Sequence, residues 1–247
     1  MKARILKVIV ILQFLALPIL GQGKHDTIRV SDEIDLIKLS ENVYLHISYV
    51  QTKSWGKVGA NGLLLVKDGK ALMIDTPWDD KQTEELTSWI NDSLNATITA
   101  IIPTHWHEDC MGGLGYLQSQ DVKSYASQAT INIAKEKNLP VPQYSFTDSL
   151  SINFQNIPVE CYYFGGAHTI DVIEVWLPTE DILFAGDVLK DINSKSLGNI
   201  ADADIKAWPI TIMKIAKRFP KVKTVIPGHG NMGGIDLIEH TLKLLEK

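Results

Sequence analysis

The feature that most constrains the fold is a run of ligand-type side chains, HWHEDC, at residues 105–110. It follows an apolar run at residues 98–102 that is typical of a buried strand. In an extended segment alternate side chains point the same way, so His105 and His107 would face one side. Imidazole, carboxylate and thiolate are the ligands that zinc favours. The pattern predicts a metal held at the end of a sheet strand, and the competing interpretation is a polar turn with a few histidines.

Three further strand-like runs end in a small residue next to a single ligand-type residue. His168 follows the segment FGGA, Asp187 follows ILFAG, and His229 follows TVIPG. Glycine at such an end lets the backbone turn sharply and approach a site closely. Each residue alone has a structural alternative, since Asp187 could cap a helix and His229 could close a loop. Four strand ends that all carry zinc-type ligands indicate one shared metal site.

Strand and helix patterns alternate along the chain without a linker or a repeat, which favours sheets covered by helices in one compact domain. Strands are predicted at residues 43–47, 62–66, 71–75, 98–102, 151–154, 159–164, 172–177, 182–185 and 224–227. Helices are predicted at residues 83–91, 112–120, 127–137 with Ser127 as cap, 203–219 with an interruption at Pro209, and 235–245. Residues 49–60 predict a mobile hairpin flap with Trp55 near its middle.

The first 22 residues have a basic start, an apolar stretch at residues 8–20 and small residues after it. This is the pattern of a secretory signal peptide, and the stretch is too short for a confident membrane span. An uncleaved N-terminal anchor is the alternative. We expect a signal peptide at residues 1–22, a single mature domain at residues 23–247, and a periplasmic location.

The chain is acidic, with 24 Lys and Arg against 29 Asp and Glu, a net charge of −5. Cleavage would remove Lys2, Arg4 and Lys7 and leave 21 − 29 = −8. We see no basic patch to recruit nucleic acid or anionic lipid. We therefore expect no nucleic-acid partner, no stable membrane association after cleavage, and a monomer.

Residues outside the main clusters have simpler interpretations. Cys110 and Cys161 are the only cysteines. A disulfide between them stays open as an alternative to a thiol beside the metal at Cys110 and an inert buried thiol at Cys161. The remaining histidines, His25, His46 and His240, lack ligand-type neighbours, so we interpret them as structural or exposed.

The order of these motifs resembles the metallo-β-lactamase superfamily: His-x-His-x-Asp, then a lone His, then Gly-Asp and Gly-His. The segments LMIDTPW at residues 72–78, VWLP at 175–178 and LGNIADA at 197–203 look like those of a class B β-lactamase of the di-zinc type, subclass B1. The resemblance covers residues 35–245. It implies an α/β fold of the αββα sandwich type, with the metals at one edge between the two sheets.

The resemblance also implies how the metals are held. His105, His107 and His168 would hold a first zinc, and Asp109 and His229 would hold a second. Three neutral ligands leave a coordination position for water, and two close ions can share a hydroxide at about neutral pH. Asp109 would also orient this water. Asp75, at a strand end, is expected to fix the loop or a histidine tautomer.

The sequence departs from the subclass at one ligand. Subclass B1 usually has a cysteine after the glycine of its Leu-Phe-x-Gly motif, whereas this chain has Asp187. Either Asp187 replaces that cysteine, with the option of bridging both ions as in glyoxalase II-like hydrolases, or Cys110 supplies a thiolate from another direction. We favour Asp187. Because aspartate is a harder ligand than thiolate, we expect the second zinc to be held more weakly.

The resemblance assigns substrate contacts as well. Lys190 would pair with the carboxylate beside the β-lactam ring, and Asn199 would donate a hydrogen bond to the ring carbonyl. Trp55 would cover an apolar substrate face. The alternatives are a solvated Lys190 and a Trp55 packed into the core.

These interpretations lead to a zinc-dependent hydrolase that opens the β-lactam ring of penicillins, cephalosporins and carbapenems by attack of metal-bound hydroxide. One alternative is a related hydrolase of lactones or thioesters, which an aspartate at residue 187 would suit. Another is a zinc-binding protein without catalysis.

Overall fold

The architecture is that of a computed structural model that describes residues 26–247, so the predicted signal peptide at residues 1–22 lies outside the described residues. The strands are β1 Thr27–Arg29, β2 Ile34–Lys38, β3 Val43–Thr52, β4 Gly56–Lys67, β5 Lys70–Ile74, β6 Thr97–Ile102, β7 Lys123–Ser127, β8 Tyr144–Phe146, β9 Ser149–Phe154, β10 Ile157–Tyr162, β11 Glu174–Leu177, β12 Ile182–Gly186 and β13 Thr224–Pro227. The helices are α1 Asp80–Leu94, α2 Glu108–Met111, α3 Leu114–Ser119, α4 Gln128–Glu136, α5 Trp208–Arg218 and α6 Asp236–Leu245.

The strands form two sheets. The first has eight strands in the order β1 to β8, and the second has five in the order β13-β12-β11-β10-β9. The pairs β5–β6, β6–β7, β7–β8 and β12–β13 are parallel, and the other neighbouring pairs are antiparallel. Parallel neighbours place their carboxyl ends at the same edge, so the segments after β5, β6, β12 and β13 can converge on one site.

Three buried apolar layers hold the sheets and helices together. The central layer lies between the sheets and includes Leu65, Leu72, Val175 and Phe184. A second layer packs α1 and α3 on the outer face of the eight-stranded sheet, and a third packs α5 and α6 on the outer face of the five-stranded sheet. This helix–sheet–sheet–helix order confirms the predicted αββα sandwich.

Hydrogen bonds join the two sheets at the edge where the ligand residues lie. Asn61 Nδ2 on β4 donates to the carbonyl oxygens of Pro227 (2.8 Å) and Gly230 (2.9 Å). The Ile173 amide before β11 donates to the Thr104 carbonyl after β6 at 2.9 Å. These bonds fix the loops of one sheet against those of the other.

The predicted helix at residues 112–120 is wrong in its bounds, because the structure has two short helices, α2 and α3, with Gly112 and Gly113 between them. A Cβ on Gly112 would lie 1.9 Å from the Trp78 carbonyl oxygen. Glycine there lets the end of α2 pack directly on the loop after β5. That packing positions Asp109 and Cys110, which both lie on α2.

Other predicted bounds also shift. The helix predicted from residue 203 begins at Trp208, so Pro209 lies in its first turn, where the missing N–H breaks no helical bond, rather than interrupting it. The strand predicted from residue 172 begins at Glu174. Strands β1, β2, β7 and β8 were not predicted, since they are short and three of them carry polar sequences. The Ser127 cap is confirmed, because its hydroxyl accepts from the Thr130 amide at 3.1 Å.

The predicted hairpin flap is formed by β3 and β4, which pair from Val43 with Leu65 to Thr52 with Gly56. Trp55 lies in the turn at its tip and is 63% exposed. The alternative in which Trp55 packs into the core is therefore wrong.

Candidate metal centre

Each predicted metal-type residue lies in a segment that follows a strand at the same edge of the sandwich. His105, His107 and Asp109 follow β6, His168 follows β10, Asp187 follows β12 and His229 follows β13. The structure brings them into two groups whose ligand atoms lie within 4.8 Å of one another: His105, His107 and His168, and Asp109, Asp187 and His229.

The three histidines turn one nitrogen each toward a common point. His107 Nδ1 lies 3.0 Å from His105 Nε2 and 3.2 Å from His168 Nε2. Two ligand nitrogens on a tetrahedral zinc, each about 2.0–2.1 Å from the metal, are about 3.3 Å apart. The spacing of these nitrogens fits zinc.

The second group has similar spacing. His229 Nε2 lies 3.1 Å from Asp109 Oδ2 and 3.5 Å from Asp187 Oδ1. Asp187 also reaches the first group, because its Oδ2 lies 3.3 Å from His168 Nε2. One carboxylate thus touches a histidine of each group, which is the geometry expected of a ligand shared by two metal ions.

Lys190 contacts the shared carboxylate. Its ammonium donates to Asp187 Oδ2 at 3.2 Å and lies 5.7 Å from the centroid of the Trp208 ring. Both Lys190 and Asp187 are buried. The alternative of a solvated Lys190 is therefore wrong, and the amine stands beside the second group of ligands.

Hydrogen bonds behind the imidazoles fix their orientation. His107 Nε2 pairs with Asp202 Oδ2 at 3.1 Å, and His229 Nδ1 donates to the Gly59 carbonyl at 2.8 Å. In both rings the second nitrogen is the one that faces the ligand group. Such partners hold the tautomer that a metal ligand needs.

Asp75 supports the loop that carries the histidines, as predicted. Its carboxylate accepts from the Thr104 amide (2.6 Å) and hydroxyl (2.8 Å), directly before His105. Asp75 has a left-handed backbone with φ 58°, which is strained for a residue with a Cβ. His46 Nε2 donates to the Asp75 carbonyl at 3.0 Å and helps to hold that conformation.

Electrostatics separates the two ligand groups. Burial lowers the pKa values of His105 and His168 to about 4, so both rings are neutral at pH 7 and can offer lone pairs. Burial would also lower the pKa of His229, but the carboxylates of Asp187 and Asp109 raise it to about 9. A cation at the second group would take the place of that proton, so its binding releases a proton.

Asp187 stays ionised despite its burial. Desolvation disfavours its charge, but Lys190 and then His229 hold the pKa of the carboxyl well below its usual range. A charged carboxylate between the groups balances the proton on His229 and would balance a cation in either group.

Cys110 lies behind His105 rather than among the nitrogens of the first group. Its Sγ is 3.3 Å from His105 Nδ1, whereas His105 Nε2 is the atom that faces His107. The two nitrogens of one ring point in different directions, which favours a neighbour role, although His105, Asp109 and Cys110 also form a compact group. Cys110 and Cys161 are both free and buried, and burial raises the pKa of Cys161 to about 12, as expected of an inert thiol.

Two of the predicted substrate residues, Asn199 and Trp55, lie on exposed segments outside the two ligand groups. Asn199 is exposed, and its side-chain oxygen accepts from the Ala201 amide at 3.1 Å, which leaves its NH2 group as a donor. Trp55 stands on the exposed hairpin tip. Asp202, three residues after Asn199, contacts His107. It lies in the LGNIADA segment, whose sequence alone predicts no role for it.

The αββα sandwich with paired imidazole and carboxylate groups at one edge defines the chain as a metallohydrolase-type protein. A family model described as the metallo-β-lactamase superfamily matches residues 55–229. The chain belongs to the metallo-β-lactamase superfamily.

Individual relatives agree. The chain is 50% identical over 221 residues to a type 2 metallo-β-lactamase of Bacteroides fragilis, which covers 90% of this chain and 89% of that protein. It is 35% identical over 215 residues to one of Bacillus cereus, covering 86% and 83%. A metallo-β-lactamase structure from Pontibacter korlensis superposes with a TM-score of 0.84 at 38% identity, covering 87% and 100%. The enzyme FIM-1 from Pseudomonas aeruginosa, solved in a mono-zinc form, gives 0.81 at 32%, covering 88% and 97%.

The buried His46 makes stability depend on pH. Burial lowers the pKa of His46 to about 4 in the folded state, against about 6.5 when unfolded. Above pH 6.5 the ring is neutral in both states; between pH 6.5 and 4 only the unfolded chain takes up a proton, so stability is lost as the pH falls. We expect the free energy of unfolding of the wild type, relative to His46→Gln, to fall by about 3 kcal/mol over this range.

Urea unfolding of chelator-treated protein at a series of pH values measures this difference. His240→Gln is the control, since His240 lies on α6 and bonds only the Ser194 carbonyl in the part of the chain that is described. A difference between wild type and His46→Gln that stays constant from pH 7 to pH 4 would contradict the assignment of a neutral buried His46.

Proposed function

We propose that the protein is a zinc-dependent β-lactamase that hydrolyses the ring amide of penicillins, cephalosporins and carbapenems. The observation that carries this is the pair of ligand groups joined by Asp187, because each group could offer three donor atoms to one of two adjacent zinc ions. The identities of 35–50% to proteins named metallo-β-lactamase support the choice of substrate class.

Six residues make up the proposed ligand set. His105, His107 and His168 hold the first zinc, and Asp109, Asp187 and His229 hold the second. The relative solved in a mono-zinc form is consistent with a second site that can be empty in this family. We expect the second ion to be the weaker one here, since Asp187 offers oxygen rather than thiolate sulfur.

When bound, zinc would supply a water with a pKa of about 7 as nucleophile and would polarise the lactam carbonyl. The protein's own side chains then orient the attacking water and the histidine ligands. Asp109 is buried at the junction of the two groups, where its carboxylate can accept a hydrogen bond from the attacking water and orient it toward the carbonyl carbon. Asp202 and the Gly59 carbonyl hold His107 and His229 in the tautomers that face the site.

Three residues are proposed to bind the substrate. The ammonium of Lys190 has three N–H donors, and one of them donates to Asp187. The other two can bind the carboxylate beside the lactam ring. The free amide NH2 of Asn199 can donate to the ring carbonyl as negative charge develops there. Trp55, exposed on the hairpin tip, can close over an apolar face of the substrate.

The composition of residues 1–22 is the basis for the proposed location. We infer export to the periplasm through the signal pattern at residues 1–22, and action as a monomer on a small-molecule β-lactam without a nucleic-acid partner. Among residues 26–247, none of the helices has the length and hydropathy that a membrane crossing requires.

A second candidate is a hydrolase of lactones or thioesters. The contact of Asp187 with both ligand groups favours it, because a bridging aspartate is what the glyoxalase II-like resemblance implies. The β-lactamase assignment is preferred, since Lys190 stands beside the second group where a substrate carboxylate would bind. A zinc-binding protein without catalysis is the remaining alternative.

A hydrolysis panel separates these candidates. We expect zinc-loaded protein to open penicillins, cephalosporins and carbapenems, to lose this activity with a chelator and to regain it with added zinc, as followed by the ring absorbance and by metal content. Faster turnover of lactones or thioesters would support the second candidate instead. Retained zinc with no turnover of any lactam, ester or thioester would leave only a binding role.

Replacement of Asp187 tests the shared ligand. Asp187→Ala should lower the bound zinc from two ions toward one and cut activity, and Asp187→Cys should hold the second ion more tightly because thiolate is a softer ligand. Metal titration with a chromophoric competitor measures both constants. Asp181→Ala is the control, as Asp181 is a surface acid paired with Lys223. Two tightly bound zinc ions in Asp187→Ala would refute the assignment.

Lys190 can be tested separately from metal binding. Lys190→Gln removes a charge-assisted hydrogen bond to the substrate carboxylate, so KM should rise about tenfold or more. Zinc content is measured in parallel, because Lys190 also contacts Asp187. The control is Lys195→Gln, an exposed lysine on the same loop. An unchanged KM in fully zinc-loaded Lys190→Gln would rule out the carboxylate contact.

A further inference from the structure

The acidic net charge conceals one strongly basic segment. Residues 206–223 contain six of the chain's 24 Lys and Arg residues, and no Asp or Glu occurs from residue 205 to residue 235. All six basic side chains are exposed. The segment comprises α5 and the turns on either side of it. The expectation that the protein has no basic patch is therefore wrong; it was drawn from the charge of the whole chain.

The outer face of α5 combines this charge with exposed apolar side chains. Trp208, Thr211, Ile212 and Ile215 form its buried face. Ile210, Met213 and Lys217 are spaced three and four residues apart, so they lie together on the opposite face. Ile210 is 53% exposed and Met213 is 56% exposed.

Acidic neighbours offset only part of the charge. Arg218 pairs with Glu160 at 3.7 Å, and Lys223 pairs with Asp181 at 3.3 Å. Lys214 donates to the Phe164 carbonyl and has no carboxylate within 4 Å in the described part of the chain. Lys206, Lys217 and Lys221 likewise form no ion pair among residues 26–247. Four cations without an ion-pair partner in the described part of the chain thus lie on or next to the helix that exposes two apolar side chains.

We propose that this outer face of α5 docks reversibly on an anionic phospholipid surface. A helix that lies on a membrane has an apolar strip flanked by lysines that reach the lipid phosphates. Nucleic acid would use the lysines but would gain nothing from Ile210 and Met213. Only two apolar side chains can enter the lipid, so the attachment is weak and differs from a stable anchor.

The candidate metal centre lies on the buried side of α5, opposite the proposed docking face. The buried face of α5 carries Trp208, whose ring packs at 6.0 Å from the ring of His168. The outer face points away from that contact. The inference therefore goes beyond the proposed hydrolysis and does not depend on it, because activity in solution should not change when the lysines are altered.

Vesicle sedimentation of the mature protein tests the proposal. We expect binding to phosphatidylglycerol vesicles and not to phosphatidylcholine vesicles, with release at about 1 M NaCl, where the Debye length is about 3 Å. In Lys217→Gln/Lys221→Gln the partition coefficient should drop about fivefold for each lysine. In Ile210→Gln/Met213→Gln it should drop as well, because the apolar contact is lost.

Lys81→Gln/Lys135→Gln removes two exposed lysines from α1 and α4, on the opposite face of the sandwich, and should bind like the wild type. Circular dichroism checks that every variant is folded, and hydrolysis in solution is assayed independently. The proposal is overturned by a lack of sedimentation with anionic vesicles, or by equal loss in the Lys81 and Lys135 control. It is also overturned if Ile210→Gln/Met213→Gln binds like the wild type, or if duplex DNA is bound as tightly as the vesicles, since either result means general polyanion binding.

Discussion

The candidate metal centre depends on the ion pairs that the buried carboxylate of Asp187 makes. A charge in this position is costly unless opposite charges surround it. Two cations contact it, Lys190 and the protonated His229, and the neutral ring of His168 contacts it on a third side. These contacts connect the strand end after β12 to the loops after β10 and β13, so both ligand groups are held relative to one carboxylate. A cation in either group would strengthen the same arrangement.

The residues behind the ligand groups hold the backbone of the ligand-bearing loop in place and are not ligands themselves. Asp75 keeps a left-handed conformation at the end of β5, and its carboxylate holds the amide and hydroxyl of Thr104. His46 on β3, two strands away in the same sheet, holds the Asp75 carbonyl. As a result, the backbone directly before His105 is held in one conformation. Strain of this kind persists where surrounding bonds over-determine it, and it is common near functional sites.

The two faces of α5 differ in character. The chain as a whole is acidic, but six of its 24 Lys and Arg residues lie on and beside α5 in a stretch without Asp or Glu. The same helix packs Trp208 against His168 on its inner face. One element therefore supports the metal centre with one side and presents cations and two apolar side chains with the other. Net charge alone is a poor guide to such a surface, because the field near a helix depends on local charges within a Debye length.

Residue types and their spacing predict what kind of site the chain forms. His105, His107, Asp109, His168 and His229 could be selected as candidate ligands because imidazoles and carboxylates recur at the ends of apolar runs, and the motif order implied the sandwich fold. The main strands and helices followed from apolar periodicity. Short polar strands such as β7 and β8 could not be predicted, since their pairing with neighbours, rather than their composition, makes them strands.

Which side chains touch depends on the folded arrangement of distant segments. It placed Asp187 against both ligand groups, turned Cys110 toward the back of His105, and brought Asp202 onto His107 across 95 residues of sequence. It also showed that Pro209 begins a helix and that Trp55 is exposed. The physical reason is that residue type and spacing fix what a side chain can bind, whereas the direction in which it points depends on strand pairing and on packing between distant segments.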